Sequence, residues 1–256
     1  MKDRVPVRAF DNKEFLHSRE ARAIRIMSEY MEPEKRFKEL NILHTVVFFG
    51  SARIDPDNDA HGTGRWYQAA ADLAFELAGM SAEFERETGS PIYICTGGGP
   101  GIMEAANMGA QRAGALTIGL NIELPFEQSP NKYISPELSF QFHYFFMRKL
   151  WFLYQAKAII IFPGGLGTMD EMFEVLTLVQ TRKLEKLNFP VVLYDEKFWR
   201  EIVNFEKLVE YGFIEKEDLG IFHFSSDVQE CLTYLNPRIK DLIRNTQQLA
   251  VMKFPL

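Results

Sequence analysis

Cysteine is scarce, with two residues in a chain of 256. Cys95 stands in an apolar, strand-like run where buried packing is its expected role, and neither it nor Cys231 suggests a disulfide scaffold or a zinc site. The histidines His17, His44, His61, His143 and His223 show no metal-ligand spacing. No metal is therefore expected, and His143 reads as a structural residue. No apolar run approaches the ~18 residues of a membrane span. The opening Met1-Lys2-Asp3-Arg4-Val5-Pro6 has no apolar stretch of the secretory type. These absences lead to the expectation of a soluble cytoplasmic protein with no membrane partner. A basic excess is missing too. The net charge of −6 argues against nucleic acid as a general partner, because a duplex binder needs a basic face to displace counterions. A local basic site for one phosphate remains compatible with that total. Three signatures are also absent: Gly-x-Gly-x-x-Gly at the first turn, Gly-x-x-x-x-Gly-Lys-Ser/Thr, and the Gly-x-Ser-x-Gly elbow. A nicotinamide fingerprint, a P-loop and an elbow-type hydrolase are thereby excluded.

The composition, 46% hydrophobic and 25% charged, is that of a globular chain. Residues 1–40 are charged and helical in pattern, with Ile24, Ile26, Met27 and Tyr30 on one stripe. Glu32-Pro33-Glu34 is expected to interrupt it. This segment reads as an N-terminal helical extension, and residues 41–256 as one domain. From Thr45 onward, short apolar runs alternate with helix-length segments. Strands are expected at Thr45–Gly50, Pro91–Thr96, Leu116–Ile122, near Phe140, at Ala158–Phe162 and at Pro190–Tyr194. Helices are expected at Arg65–Met80, Gly101–Ala113, Tyr144–Lys157, Met169–Arg182, Lys197–Val209, Val228–Leu235 and Arg238–Leu249. Strands without strict alternation are buried on both faces, and such strands joined by helices imply a parallel sheet with right-handed crossovers. The fold class is α/β, a Rossmann-like doubly wound parallel sheet.

In such sheets ligands bind at the carboxyl ends of the strands. Three strands here end in small, phosphate-friendly turns: Gly50-Ser51-Ala52-Arg53, Gly97-Gly98-Gly99-Pro100-Gly101, and Pro163-Gly164-Gly165-Leu166-Gly167-Thr168. Glycine lets backbone N–H groups approach an anion, and a following helix adds its positive end. Thr168 can offer a hydroxyl to the same phosphate. Thr168-Met169-Asp170-Glu171 also fits a capping box, with Thr168 as N-cap and Glu171 at N3. Glu104 can hydrogen-bond a ribose hydroxyl or simply favour its helix N-terminus. Ser51 can donate to phosphate or merely shape a tight turn. In the aromatic stretch Phe140–Tyr154, Arg148 and Lys149 stand out. Snorkelling accounts for both; alternatively Arg148 reaches the anion site and balances Glu171.

On these residues the chain resembles the lonely-guy (LOG) family of cytokinin riboside 5′-monophosphate phosphoribohydrolases, formerly called lysine decarboxylases. Pro163–Glu171 fits the family's P-G-G-x-G-T-x-x-E, Met147-Arg148-Lys149 precedes the strand before it, and Gly97–Gly101 with Met103 and Glu104 is similar to its second glycine turn. The first turn departs from the Cys-Gly-Ser of many members. The resemblance implies a homodimer that hydrolyses a nucleoside 5′-monophosphate, AMP or an N6-modified AMP, to free base and ribose 5-phosphate without a cofactor. It implies Arg148 and Glu171 as catalytic residues. Gly164, Gly165, Leu166, Gly167 and Thr168 would hold the phosphate, with Ser51, Gly98, Gly99, Glu104, Met147 and Lys149 around the nucleotide. A carboxylate beside C1′ suits the chemistry, since cleavage builds positive charge there. The alternative is a nucleotide-sensing protein of the same fold, which could do without Glu171. A lysine decarboxylase would need a Schiff-base lysine, and neither Lys149 nor Lys157 has a suitable local sequence.

Overall fold

Short runs rich in β-branched and aromatic residues become strands, because stiff side chains suit a pleated surface. The computed structural model describes residues 6–57, 59, 61–125, 129–184 and 189–253, with 246–253 by backbone alone. Its strands are β1 (Thr45–Phe49), β2 (Tyr93–Thr96), β3 (Thr117–Ile122), β4 (Ser139–Phe142), β5 (Ala156–Ile161), β6 (Val191–Tyr194) and β7 (His223–Ser225). Among the described residues they form one seven-stranded sheet in the order β4-β3-β2-β1-β5-β6-β7. Every neighbouring pair is parallel. The chain winds outward from β1 in one direction and from β5 in the other, so the topological switch point lies between β1 and β5.

The helices are α1 (Lys13–Leu16), α2 (Arg22–Glu39), α3 (Gly64–Gly79), α4 (Ser81–Thr88), α5 (Ile102–Arg112), α6 (Phe145–Tyr154), α7 (Leu166–Gln180), α8 (Glu196–Ile202), α9 (Phe205–Glu210) and α10 (Val228–Lys253). They cover both faces of the sheet. Val47, Phe49, Ile159 and Ile161 point into one core, with Trp151 and Phe152 of α6 and Met172 and Val175 of α7. Val46, Phe48, Ile94 and Ile160 point into the other, with Ala70 and Leu73 of α3, Ile102 of α5 and Ile239 of α10. Burying each large apolar side chain contributes about 1.5–3 kcal/mol. Because both faces are covered, β1, β5 and β6 are buried along their whole length, and only the edge strand β4 alternates, with Phe140 and Phe142 buried between Ser139 and Gln141.

The chain departs from the sequence expectation in several places; the helix expected at Tyr144–Lys157, for one, ends at Tyr154, and Ala156 and Lys157 open β5. Helix α2 runs unbroken through Pro33. Proline at that position leaves the Glu29 carbonyl without its usual intrahelical donor, and the Trp151 indole N–H supplies one at 3.1 Å. Helix α10 likewise continues through Pro237 where two helices were expected. The single helix expected at 197–209 is two, because Val203 is extended and the Asn204 side chain caps α9 by accepting from the Lys207 N–H at 2.9 Å. Strand β7 was not expected; three residues are too few for a pattern.

The N-terminal helix is held to the β4–α6 segment. Phe37 packs on Phe140 at 5.2 Å and on Trp151 at 5.4 Å between ring centroids. The Arg36 guanidinium donates to the carbonyls of Glu137 and Ser139 at 3.3 and 3.1 Å. The Glu29 carboxylate accepts from the backbone N–H groups of His143 and Tyr144 at 2.8 and 3.2 Å. It thereby serves the N-terminus of α6, which Tyr144 itself does not cap.

Candidate active site

The turns after β1, β2 and β5 meet at the switch point, and the backbone of Ser51 joins them. Its N–H donates to the Pro163 carbonyl at 3.0 Å, and its carbonyl accepts from the Ile102 N–H at 3.0 Å. Its hydroxyl accepts from the Arg53 N–H at 3.1 Å, closing a local turn. The second glycine turn is clipped from behind. Asn131 donates through its side-chain amide to the carbonyls of Gly98 and Gly99 at 3.2 and 3.0 Å. These turns form the walls of a cleft of about 710 Å³ at the carboxyl edge of the sheet.

The third turn settles a local question. Helix α7 begins at Leu166 with Gly165 as its N-cap, and no side chain caps it. Thr168 is thus the third helical residue and Glu171 the sixth, so the capping box suggested by the spacing does not form. The first N–H groups of a helix have no intrahelical partner, and here they stand at the cleft with Gly165, Leu166 and Gly167 exposed. Thr168 is buried, its hydroxyl lying over Gly164 so closely that a Cβ there would come within 2.1 Å of it.

Glu171 is buried, with 7% of its surface exposed, and its carboxylate faces two cations. Arg148 Nη2 lies 3.5 Å from Oε1 and Lys149 Nζ 3.5 Å from Oε2. Burial pushes the Glu171 carboxyl above its ordinary 4.5, although Lys149 and Arg148 oppose the shift. The two cations differ. Arg148 lines the cleft, its guanidinium 5.2 Å from the Phe145 ring centroid and 5.5 Å from that of Phe152. Its Nε is buried with no hydrogen-bond partner among the described residues. Lys149 does not line the cleft. Its ammonium holds Asp170 at 2.9 Å and Glu174 at 2.8 Å, tying α6 to α7. Burial works against that charge, but hydrogen bonds to Glu174 and Asp170 carry it up to about 12. Asp170 is accordingly committed to Lys149 and stays outside the cleft.

Of the residues singled out from the sequence, the cleft gathers Ser51, Gly99, Arg148, Gly165, Leu166, Gly167, Thr168 and Glu171. Gly98 and Gly164 lie behind its surface, against Asn121 and Thr168. Met147 is in the core. Glu104 is outside the cleft and acts on the Tyr67 phenol, which burial first and the Glu104 charge second push up to about 12. His143 is on the surface, 2.9 Å from Glu123. Sequence reading missed Asn121, which lines the cleft and donates to the Phe140 carbonyl at 3.0 Å. An asparagine closing an otherwise apolar strand was the available signal. Leu124, Phe145 and Phe152 give the cleft an apolar wall that only the tertiary structure assembles. No cluster of His, Cys, Asp and Glu suited to a metal ion occurs among the described residues. Nor is any helix there long and apolar enough to cross a membrane.

The sequence model described as "Possible lysine decarboxylase" matches residues 103–235. No curated protein matches the chain. The X-ray structure of TM1055 superposes with a TM-score of 0.52 at 19% identity, over 76% of this chain and 99% of that one. The molybdenum cofactor binding protein from the phototrophic bacterium Rippkaea orientalis gives 0.49 at 19% identity, over 77% and 97%. The Moco carrier protein from Chlamydomonas reinhardtii gives 0.48 at 18%, over 78% and 99%. Identities this low bear on the fold alone, and TM1055 shares it.

Proposed function

This chain belongs to the lonely-guy (LOG) family, and from that premise we propose that it hydrolyses the N-glycosidic bond of a nucleoside 5′-monophosphate. One observation carries the reading: Glu171 is buried in the cleft beside Arg148, on a helix whose N-terminus is left uncapped toward the same space. The uncapped N–H groups of α7 suit a phosphate. The apolar wall of Phe145, Phe152 and Leu124 suits a base.

With the phosphate held at α7, binding energy remote from the reaction fixes the ribose over Glu171. The carboxylate stabilises positive charge growing on C1′ and orients a water molecule toward it. A C1′–O bond forms as the attacking water gives up a proton, the C1′–N bond breaks with its electron pair leaving on the base, and the base takes up a proton. Arg148 holds the carboxylate in place, and Lys149 and Arg148 together favour its ionised form against burial. Decarboxylation of an amino acid fits poorly. It needs a lysine to hold pyridoxal phosphate as a Schiff base, and no lysine lines the cleft among the described residues. Lys149 is committed to three carboxylates, and Lys157 is buried near the start of β5, its amine pushed down to about 8 by burial.

Incubating the protein with AMP, other purine monophosphates, an N6-prenylated AMP and the free nucleosides tests the reading. Base and ribose 5-phosphate should appear from a 5′-monophosphate without added metal, and not from the nucleosides. Tight binding of a monophosphate with no release would make it a nucleotide-binding protein instead. The reading also carries a homodimer, for which exposed Phe146, Leu150 and Phe173 on α6 and α7 offer an apolar face. A monomer mass by sedimentation would remove that part.

A further inference from the structure

We propose that Arg53 is the cation that selects phosphorylated ligands in this cleft; the proposal rests on the cleft's being a nucleoside monophosphate site. Among the described residues, the charged side chains lining the cleft are Arg53, Arg148 and Glu171. Arg148 and Glu171 lie 3.5 Å apart and offset each other. Lys149 stands outside, held by carboxylates. Arg53 is left. It is exposed, and its guanidinium makes no ion pair or hydrogen bond among the described residues; its backbone N–H alone is engaged, with the Ser51 hydroxyl.

Its position suits the role. Arg53 lies two residues beyond Ser51, whose backbone N–H bonds to Pro163 immediately before the third turn. Ser51 N is also 3.0 Å from where a Cβ on Gly164 would stand, so the turn carrying Arg53 abuts the turn that opens α7. A helix N-terminus supplies about half an elementary charge, well short of a phosphate monoester dianion. A guanidinium supplies a full charge and a planar fork that matches phosphate oxygens. With no acid to release among the described residues, Arg53 closes on the phosphate without losing a partner there.

The test compares wild type, Arg53→Gln and Arg53→Lys in steady-state turnover of AMP and in calorimetric binding of AMP, adenosine and inorganic phosphate. In Arg53→Gln the KM for AMP should rise roughly 10- to 100-fold, the range for one charge-assisted pair, with the loss falling in KM rather than kcat. AMP and phosphate affinity should fall together while adenosine affinity holds. Arg53→Lys should recover part of the loss as a point charge. Equal AMP affinity in wild type and Arg53→Gln overturns the proposal, as does an equal loss for AMP and adenosine. If the wild type binds AMP but does not turn it over, the hydrolytic reading fails, and the binding arm still decides the role of Arg53. A wild type that binds neither AMP nor phosphate overturns both.

Discussion

The turns after β2 and β5 are both rich in glycine and both run into a helix, but their glycines meet different needs. In Gly97–Gly101 the need is internal. Gly98 and Gly101 have φ of +73° and +68°, and a Cβ would come within 2.2 Å of the Asn121 side chain or 2.3 Å of the Ser51 carbonyl. The protein itself excludes a side chain there. In Gly164–Gly167 the backbone of Gly165 is extended, and a Cβ on Gly165 or Gly167 would meet nothing within 4 Å. The fold tolerates a side chain at both positions. Bare backbone there leaves the uncapped start of α7 open to the cleft. Similar composition therefore marks packing throughout one turn, and in the other packing at Gly164 but open space at Gly165 and Gly167.

The largest effect is expected at the acid that α7 carries into the cleft. Glu171→Gln should lower kcat by about 10²- to 10⁴-fold while phosphate affinity is kept. Near-normal turnover would reduce Glu171 to a structural residue and leave the open turn without a chemical purpose. The pH profile sharpens the same point. Burial raises the Glu171 carboxyl above 4.5, and the proposed hydrolysis needs its ionised form, so kcat should fall as pH drops through that raised value. An acid limb in the ordinary carboxylate range would contradict the assignment. The sign is opposite for stability. The native state binds this proton more tightly than the unfolded chain, so the contribution is full below the unfolded value and is lost as pH rises through the folded one. Melting curves of wild type and Glu171→Gln across pH 4–8 read that difference.

The next effects separate the two turns directly. Gly101→Ala should cost about 2–4 kcal/mol of stability, from strain at positive φ and overpacking against Ser51. Denaturant unfolding measures it, and a cost below about 0.5 kcal/mol would remove the packing argument. Gly167→Ala should do the reverse. It lies inside a helix with open space around it, so stability should hold or rise by up to ~1 kcal/mol, while AMP affinity falls about tenfold as a methyl group obstructs the anion's approach. Loss of stability with affinity intact would invert the comparison. The smallest effect is expected far from both turns. Glu29→Ala removes the carboxylate that serves the N-terminus of α6 and should cost about 1 kcal/mol, measurable in the same unfolding experiment. No change there would mean that other contacts of α2 suffice to hold α6.

Much of the sheet was legible because β1, β3, β5 and β6 are short apolar runs closed by turn residues, a pattern that follows from burial on both faces. The extent of the helices was less so. Pro33 reads locally as a break, yet the indole of Trp151, far away in sequence, supplies the hydrogen bond that the proline cannot. Asn204 is a good cap for the same reason that it looked unremarkable inside a helical pattern: its side chain competes with the backbone for N–H groups. Around the cleft, the glycine turns and Arg148 were visible in the sequence, as was Lys149, which the fold turns away from it. Asn121 and the apolar wall were not, because their elements meet only when the sheet forms.

What the sequence determined by itself is local: the parallel α/β layout, three glycine turns at one edge, and a carboxylate three residues beyond Thr168 at the end of the third turn. Those follow from hydrophobic spacing and from the backbone freedom of glycine, which act over a few residues. Only the tertiary structure decided how those parts are used. Starting α7 at Leu166 placed Thr168 and Glu171 beyond capping range. Packing α6 against α7 gave Arg148 to the cleft and Lys149 to the carboxylates outside it. Neighbouring residues on a helix point in different directions, and which direction faces the ligand depends on where the partner helix lies.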